Sequence, residues 1–364
     1  MPAGILDAFG RNATVLAVVA VAAGGATFVL RQAGGDHVVV FALSGVALAG
    51  LAGLVGEGTD QLGHRFGPGA TGVLQSALGN LPELFISIFA LQAGLAVVVQ
   101  TALIGSILAN SLLVLGLAFF LGGLRHGTQR FDAPAVRSMA VLLVLAVAAL
   151  AIPTLATQPG APDAGHAQDI SVFASIVLLV IFGASVPFSI RGGPGASAIE
   201  SAVESVHAWP LRLALGVLVA AGIGSAVVSD WFVDALRPAM ATLGLSEAFV
   251  GLVIVAIAGN AVENVVGVQM ALRNKPDLAI SLILNSSVQV AVALTPALVL
   301  ISLVVGGGLT LVLTPLLLAA VTLAALFTAF IVFDGETTWL EGLALLGLYL
   351  VVAASVWYGQ PIRA

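Results

Sequence analysis

Two short motifs hold the residues whose types and spacing could do chemistry. Gly79-Asn80-Leu81-Pro82-Glu83 recurs 180 positions on as Gly259-Asn260-Ala261-Val262-Glu263. Behind the first comes Ile104-Gly105-Ser106-Ile107-Leu108-Ala109-Asn110, and behind the second, at the same offset, Leu284-Asn285-Ser286-Ser287-Val288-Gln289. Of the 18 acidic residues, only Glu83 and Glu263 fall deep inside apolar stretches. Such a residue at the centre of a membrane helix costs about 2.5–3.5 kcal/mol on insertion scales. Two costs placed symmetrically point to a function; the structural alternative is a protonated Glu donating an interhelical hydrogen bond.

The neighbours indicate what the carboxylates face. On a helix, Asn80 and Glu83 lie three apart on one face, as do Asn260 and Glu263. Ser106 and Asn110 are four apart, Ser286 and Gln289 three apart, and all of these offer oxygen. A lone Ser or Asn in a membrane helix is usually packing, so the weight rests on convergence with the Glu pair. The five His (37, 64, 126, 166 and 207) sit near ends or loops, and there is no Cys. An all-oxygen cage with two negative charges suits a hard cation such as Ca2+ and is poor for soft metals. Gly79 and Gly259 weaken their helices by roughly 1 kcal/mol each, and a helix broken at the midplane turns carbonyls into ligands. Pro82 has no N–H, so the Leu78 carbonyl loses its helical donor and is expected to point at the ion. Val262 offers no such release, so the second break is expected to be gentler.

The elements that must position these residues follow from composition. Among 364 residues, 8% are charged and 60% hydrophobic, with a mean hydropathy of +1.14. Soluble chains carry roughly a quarter charged residues, so the chain reads as an all-α integral membrane protein. Apolar stretches of spanning length fall at 13–31, 37–56, 69–93, 96–122, 133–156, 169–190, 209–233, 246–272, 278–304, 308–333 and 338–358, which predicts eleven transmembrane helices. Long soluble domains are excluded. The net charge of -6 without a basic run argues against nucleic acid as a partner. Neither H-E-x-x-H nor a serine nucleophile with a buried His occurs, so an enzyme is not expected, and no cofactor is implied.

The first motif lies in the third stretch and the second in the eighth, an odd number of crossings apart. The two therefore enter the membrane from opposite sides, which predicts an inverted-topology repeat of the kind common in secondary transporters. The expected layout is an extra N-terminal helix (1–34), a five-helix repeat (35–191), a cytoplasmic linker (192–208) with Glu200 and Glu204, and a second five-helix repeat (209–364). With the N-terminus cytoplasmic, Arg11, Arg65, Arg125, Arg130, Arg137, Arg191, Arg212, Arg273 and Lys275 fall inside; Arg31, Arg237 and Arg363 fall outside. That bias favours a cytoplasmic N-terminus and an outside C-terminus.

From Leu51 onward the chain resembles the Ca2+/H+ exchanger family of the calcium/cation antiporter superfamily. The matching segments are Gly79–Gly94, Gly105–Asn110, Phe119-Phe120-Leu121-Gly122-Gly123, Gly259–Asp277, Ser286-Ser287-x-Gln289, Asp334-Gly335 and Trp339-Leu340-Glu341-Gly342. The chain departs at Asn264, where the family often has His, at Leu81-Pro82, and at Asn285, where Gly is usual. The resemblance implies one dispensable helix plus two five-helix repeats in a cell membrane of bacterial plasma-membrane type. It also implies proton-driven Ca2+ extrusion, with Glu83 and Glu263 as ion carriers. Alternating access around one midplane site is expected, with Ca2+, protons and the lipid bilayer as partners. Na+/H+, Mn2+/H+ and Na+/Ca2+ exchange on the same fold are the alternatives, and oligomeric state stays open from monomer to small homo-oligomer.

Overall fold

The structure, a computed structural model, describes residues 10–66, 78–161, 163–190 and 209–358, apart from the side chains of 63–66, 135, 186–190, 262–263 and 358. The linker expected at 192–208 lies outside the described residues. The chain runs as α1 (Arg11–Gln32), α2 (His37–Phe66), α3 (Leu81–Gln92), α4 (Ala96–His126), α5 (Ala133–Ala156) and α6 (Ala167–Ile190). It continues as α7 (Leu211–Leu243), α8 (Glu247–Gly259), α9 (Ala261–Leu272), α10 (Pro276–Val305), α11 (Pro315–Ile331) and α12 (Trp339–Tyr358). Among the described residues, 8 helices are long and apolar enough to cross a membrane, 9 if the bent pair α8–α9 is one span; α3 and α11 are shorter apolar helices. The only sheet among them is a two-residue clip, β1 (Gln129–Arg130) against β2 (Glu336–Thr337), antiparallel and closed by an Arg130–Glu336 ion pair at 3.0 Å.

Packing centres on α4, the most buried span, while α1 and α6 lie at the lipid-facing periphery. Glycines set how closely α4 meets its neighbours. A Cβ on Gly105 would lie 2.3 Å from the carbonyl oxygen of Leu252 in α8, and one on Gly342 of α12 would lie 2.2 Å from the Phe120 nitrogen. Backbone contact of this kind is how membrane helices associate without a hydrophobic drive between them. The matched spacing of the sequence carries into the elements: α3 and α9 each have 12 residues. Each ends in a left-handed residue 180 positions apart, Gly94 (φ 72°) and Asn274 (φ 58°).

The stretch read as 37–56 stays helical to Phe66, and two further expectations on helix extent change. The stretch read as 308–333 becomes helical only at Pro315, because Gly306, Gly307 and Gly308 (φ 92°, 97° and 56°) stop α10. Thr314 then caps α11, accepting from the Leu317 N–H, with Pro315 in its first turn. Residues 306–314 run without helix, and side chains satisfy their backbone. Gln100 donates to the carbonyls of Thr310 and Val312, and Thr154 and Ser171 accept from the N–H groups of Leu313 and Leu311. Non-helical backbone among apolar helices is tolerated only when it is paired and buried in protein in this way. The stretch read as 209–233 instead continues to Leu243 through Pro238, carrying Asp230, Asp234 and Arg237 on the helix.

Candidate functional site

Each motif sits at a helix break. Asn80 (φ −93°, ψ 15°) separates Leu78 and Gly79 from α3, and Asn260 (φ −107°, ψ 16°) separates α8 from α9. The second break is no gentler than the first at this residue, and α8 and α9 bend by 62° across it. A break at this position therefore does not require a proline. Pro82 stands in the first turn of α3, where a missing N–H leaves no bond unmade.

Glu83 is 1% exposed, and its Oε1 accepts from the Ser106 hydroxyl of α4 at 2.5 Å. Ser106 in turn accepts from Nδ2 of Asn260 at 3.0 Å, and the same Nδ2 donates to the Ala256 carbonyl at 2.9 Å. Gly259 lies flat against the carboxylate, since a Cβ there would meet Glu83 Cβ, Cγ and Cδ at 3.6–3.7 Å. Residues of both motifs thus converge on one serine. One turn along α4, Asn110 donates to the Ser286 hydroxyl of α10 at 3.0 Å. Gln289, 6% exposed, lies three residues further along α10. Of the predicted set, Leu78, Gly79 and Asn80 lie half-buried at the first break. The side chain of Glu263, at the start of α9, lies outside the described residues.

Several buried polar atoms have no partner among the described residues: Oε2 of Glu83, Oδ1 of Asn260, Oδ1 of Asn264 and Nε2 of Gln289. Buried polar groups are ordinarily paired, and each exception needs a reason. Three of these four are oxygens carried by the motif helices, the donor type that hard cations take. Among the described residues no three His, Cys, Asp or Glu come together.

Sequence reasoning noted Asn264 only as a departure from the family, and it missed two further features. Asn264 places its orphaned oxygen one turn after Asn260, on the same helix face. Ser111 and Ser287, both fully buried, face each other at 3.4 Å behind the Asn110–Ser286 bond; the doubled serine of the second motif was the signal for that pair. π-helical turns run over Ala109–Val114 in α4 and Val290–Leu294 in α10, at or just after the polar residues. A π turn widens the helix by one residue, is frequent at functional sites, and leaves no mark in residue type.

The Sodium/calcium exchanger protein family matches residues 37–191 and 213–358, spanning both motifs and the helices around them. The chain belongs to this family. A Ca2+/H+ antiporter of Synechocystis sp. is 34% identical over 353 residues, covering 91% of this chain and 94% of the relative. The Ca2+/H+ antiporter ChaA of Bacillus subtilis is 35% identical over 322 residues, covering 86% and 91%. Among solved structures, native YfkE superposes with a TM-score of 0.81 at 32% identity over 94% of this chain and 99% of its own. These exchanger relatives match across both halves of the chain rather than at one motif.

Proposed function

We propose that the chain is a Ca2+/H+ antiporter working by alternating access around a site formed by Glu83 and Glu263. The observation that carries this reading is Glu83. It is a carboxylate 1% exposed among apolar helices, held by one hydroxyl at Oε1, with Oε2 unpaired among the described residues and its Cβ, Cγ and Cδ lying against Gly259 of the other motif. Its relatives named as Ca2+/H+ antiporters support the choice of Ca2+. Asn80, Asn110, Asn260, Ser106, Ser286 and Gln289 supply further oxygens, and Leu78, Gly79 and Gly259 supply backbone at the breaks.

The coupling follows from charge. One Ca2+ neutralises two ionised glutamates, and two protons neutralise them equally. The doubly charged, empty site is costly in a low dielectric and does not cross. Exchange without leak is the consequence. We read the fold as one peripheral helix (1–34) plus two inverted five-helix repeats (35–191 and 209–364) joined by a linker (192–208), eleven crossings in all. The N-terminus is cytoplasmic, the C-terminus outside, and the chain is a multi-pass protein of the cell membrane.

The test is uptake of labelled Ca2+ into proteoliposomes under an imposed pH gradient, with Na+, Mn2+ and K+ gradients in parallel. The wild type is expected to accumulate Ca2+ until the gradient is collapsed by an ionophore, and Glu83→Gln or Glu263→Gln to abolish accumulation. Substantial Ca2+ transport by either variant refutes the mechanism. Proton-coupled flux of Na+ or Mn2+ with none for Ca2+ would move the substrate assignment while leaving the two glutamates in place.

A further inference from the structure

Helices α1 and α7 touch at one end and splay apart along the rest. At the touching end the Arg31 guanidinium contacts Asp234, lies 3.8 Å from Asp230, and sits 5.9 Å from the centroid of the Trp231 ring, which also packs on Phe28. Away from that end α1 packs on α2 instead. The gap between α1 and α7 is an apolar groove of about 510 Å³, walled by Ala17, Gly24 and Gly25 of α1 and by α7 from Val217 to Trp231. Leu51 and Leu54 of α2 form its floor. From Val217 to Trp231 the α7 wall climbs about 21 Å along the helix axis. That is the depth of one leaflet with its headgroups, about 20–22 Å.

We propose that this groove is a binding site for one phospholipid with an amine-bearing zwitterionic headgroup, its acyl chain lying between α1 and α7. Apolar surface at this depth meets hydrocarbon, and no protein element among the described residues covers the groove. The headgroup chemistry comes from the charges at its mouth. Arg31 offers donors to a phosphate, while Asp230 and Asp234 leave one carboxylate more than the single guanidinium neutralises. The next cation along α7, Arg237, is directed at the Gly94 carbonyl. A primary ammonium donates hydrogen bonds to the spare carboxylate; a quaternary choline has no N–H to give. Trp231 stands at the mouth, where amphipathic rings settle at headgroup level. The site lies on the outer surface of the bundle, apart from Glu83, and occupies helices the ion site does not use.

The experiment is native mass spectrometry of the full-length chain released from nanodiscs holding phosphatidylethanolamine and phosphatidylcholine in equal amounts. One phosphatidylethanolamine is expected to stay bound per chain, preferred about fivefold over phosphatidylcholine, the factor one net hydrogen bond supplies. Gly25→Leu fills the groove, and nothing lies within 4 Å of a Cβ built there, so the fold should be kept while the bound lipid is lost. Asp230→Asn should keep a bound lipid and lose the preference. Equal retention of the two lipids by the wild type overturns the headgroup assignment. Retention unchanged by Gly25→Leu, or a dimeric mass that this substitution abolishes, overturns the groove as a lipid site. Should Gly25→Leu lower the melting temperature sharply, the Asp230→Asn comparison decides alone.

Discussion

Gly105→Ala tests whether the site depends on how closely α4 approaches α8. A Cβ at 105 would stand 2.3 Å from the Leu252 carbonyl oxygen and 2.6 Å from its Cα, both backbone atoms that no rotamer change can move. Real Cβ atoms do not come under 3.0 Å, so the approach is short by about 0.7 Å. Further along α4, Gly116 and Gly123 are pressed against α12, which limits how far the helix can shift. Relief therefore requires α4 and α8 to separate, and overpacking of this kind costs about 1–3 kcal/mol. The next residue is Ser106, whose hydroxyl accepts from Asn260 at 3.0 Å. A 0.7 Å separation would carry that pair to about 3.7 Å, outside hydrogen-bond range. Gly105→Ala is expected to lower the melting temperature in detergent and to reduce proton-driven Ca2+ uptake together. Gly45→Ala is the control: its Cβ would meet only Phe232 Cε2 at 3.5 Å, an ordinary contact, and it shares any gain in helix propensity. Equal behaviour of the two variants in both assays would refute the reasoning.

Other substitutions and conditions probe the site more directly. Ser106→Ala removes a partner from both Glu83 Oε1 and Asn260 Nδ2, and stability should fall by about 1–3 kcal/mol; Ser106→Thr, which restores a hydroxyl, should recover part of it in the same melting assay. Ca2+ at about 100 times its Kd should stabilise the wild type by about 2.7 kcal/mol, and Glu83→Gln should abolish most of that increment, as read by melting with and without chelator. Lowering the pH should weaken this Ca2+ stabilisation in the wild type, because protons occupy the same oxygens; a pH-independent increment would contradict shared sites. Gln129→Ala should destabilise by about 1–3 kcal/mol, because this buried amide is the donor to the Ala271 carbonyl and the Asn274 side chain at the end of α9.

Much of the site was legible because burying charge is expensive and leaves few explanations. Glu83 and Glu263 stand out in any chain with 8% charged residues, and their Asn and Gly companions repeat at one offset. The extended segment at 306–314 was not legible. Its Leu309, Leu311, Val312 and Leu313 are as apolar as a spanning helix, and only Gln100, Thr154 and Ser171, distant in sequence, make the conformation tolerable. The similar backbone at Asn80 and Asn260 was not legible for a related reason. Pro82 looks like the agent of the break, yet the second motif leaves its helix at the matching residue without a proline.

Composition and residue spacing by themselves determined that the chain carries membrane-spanning helices, and they singled out two matched glutamate motifs with serines and amides beside them. Transfer free energy and the periodicity of a helix depend on residue type and order alone. Tertiary structure decided that Asn260 reaches Ser106, that Gly259 lies against Glu83, and that π turns run through the partner helices. Those facts depend on how closely helices far apart in sequence approach, and that distance is set by which glycines meet which backbones across the bundle.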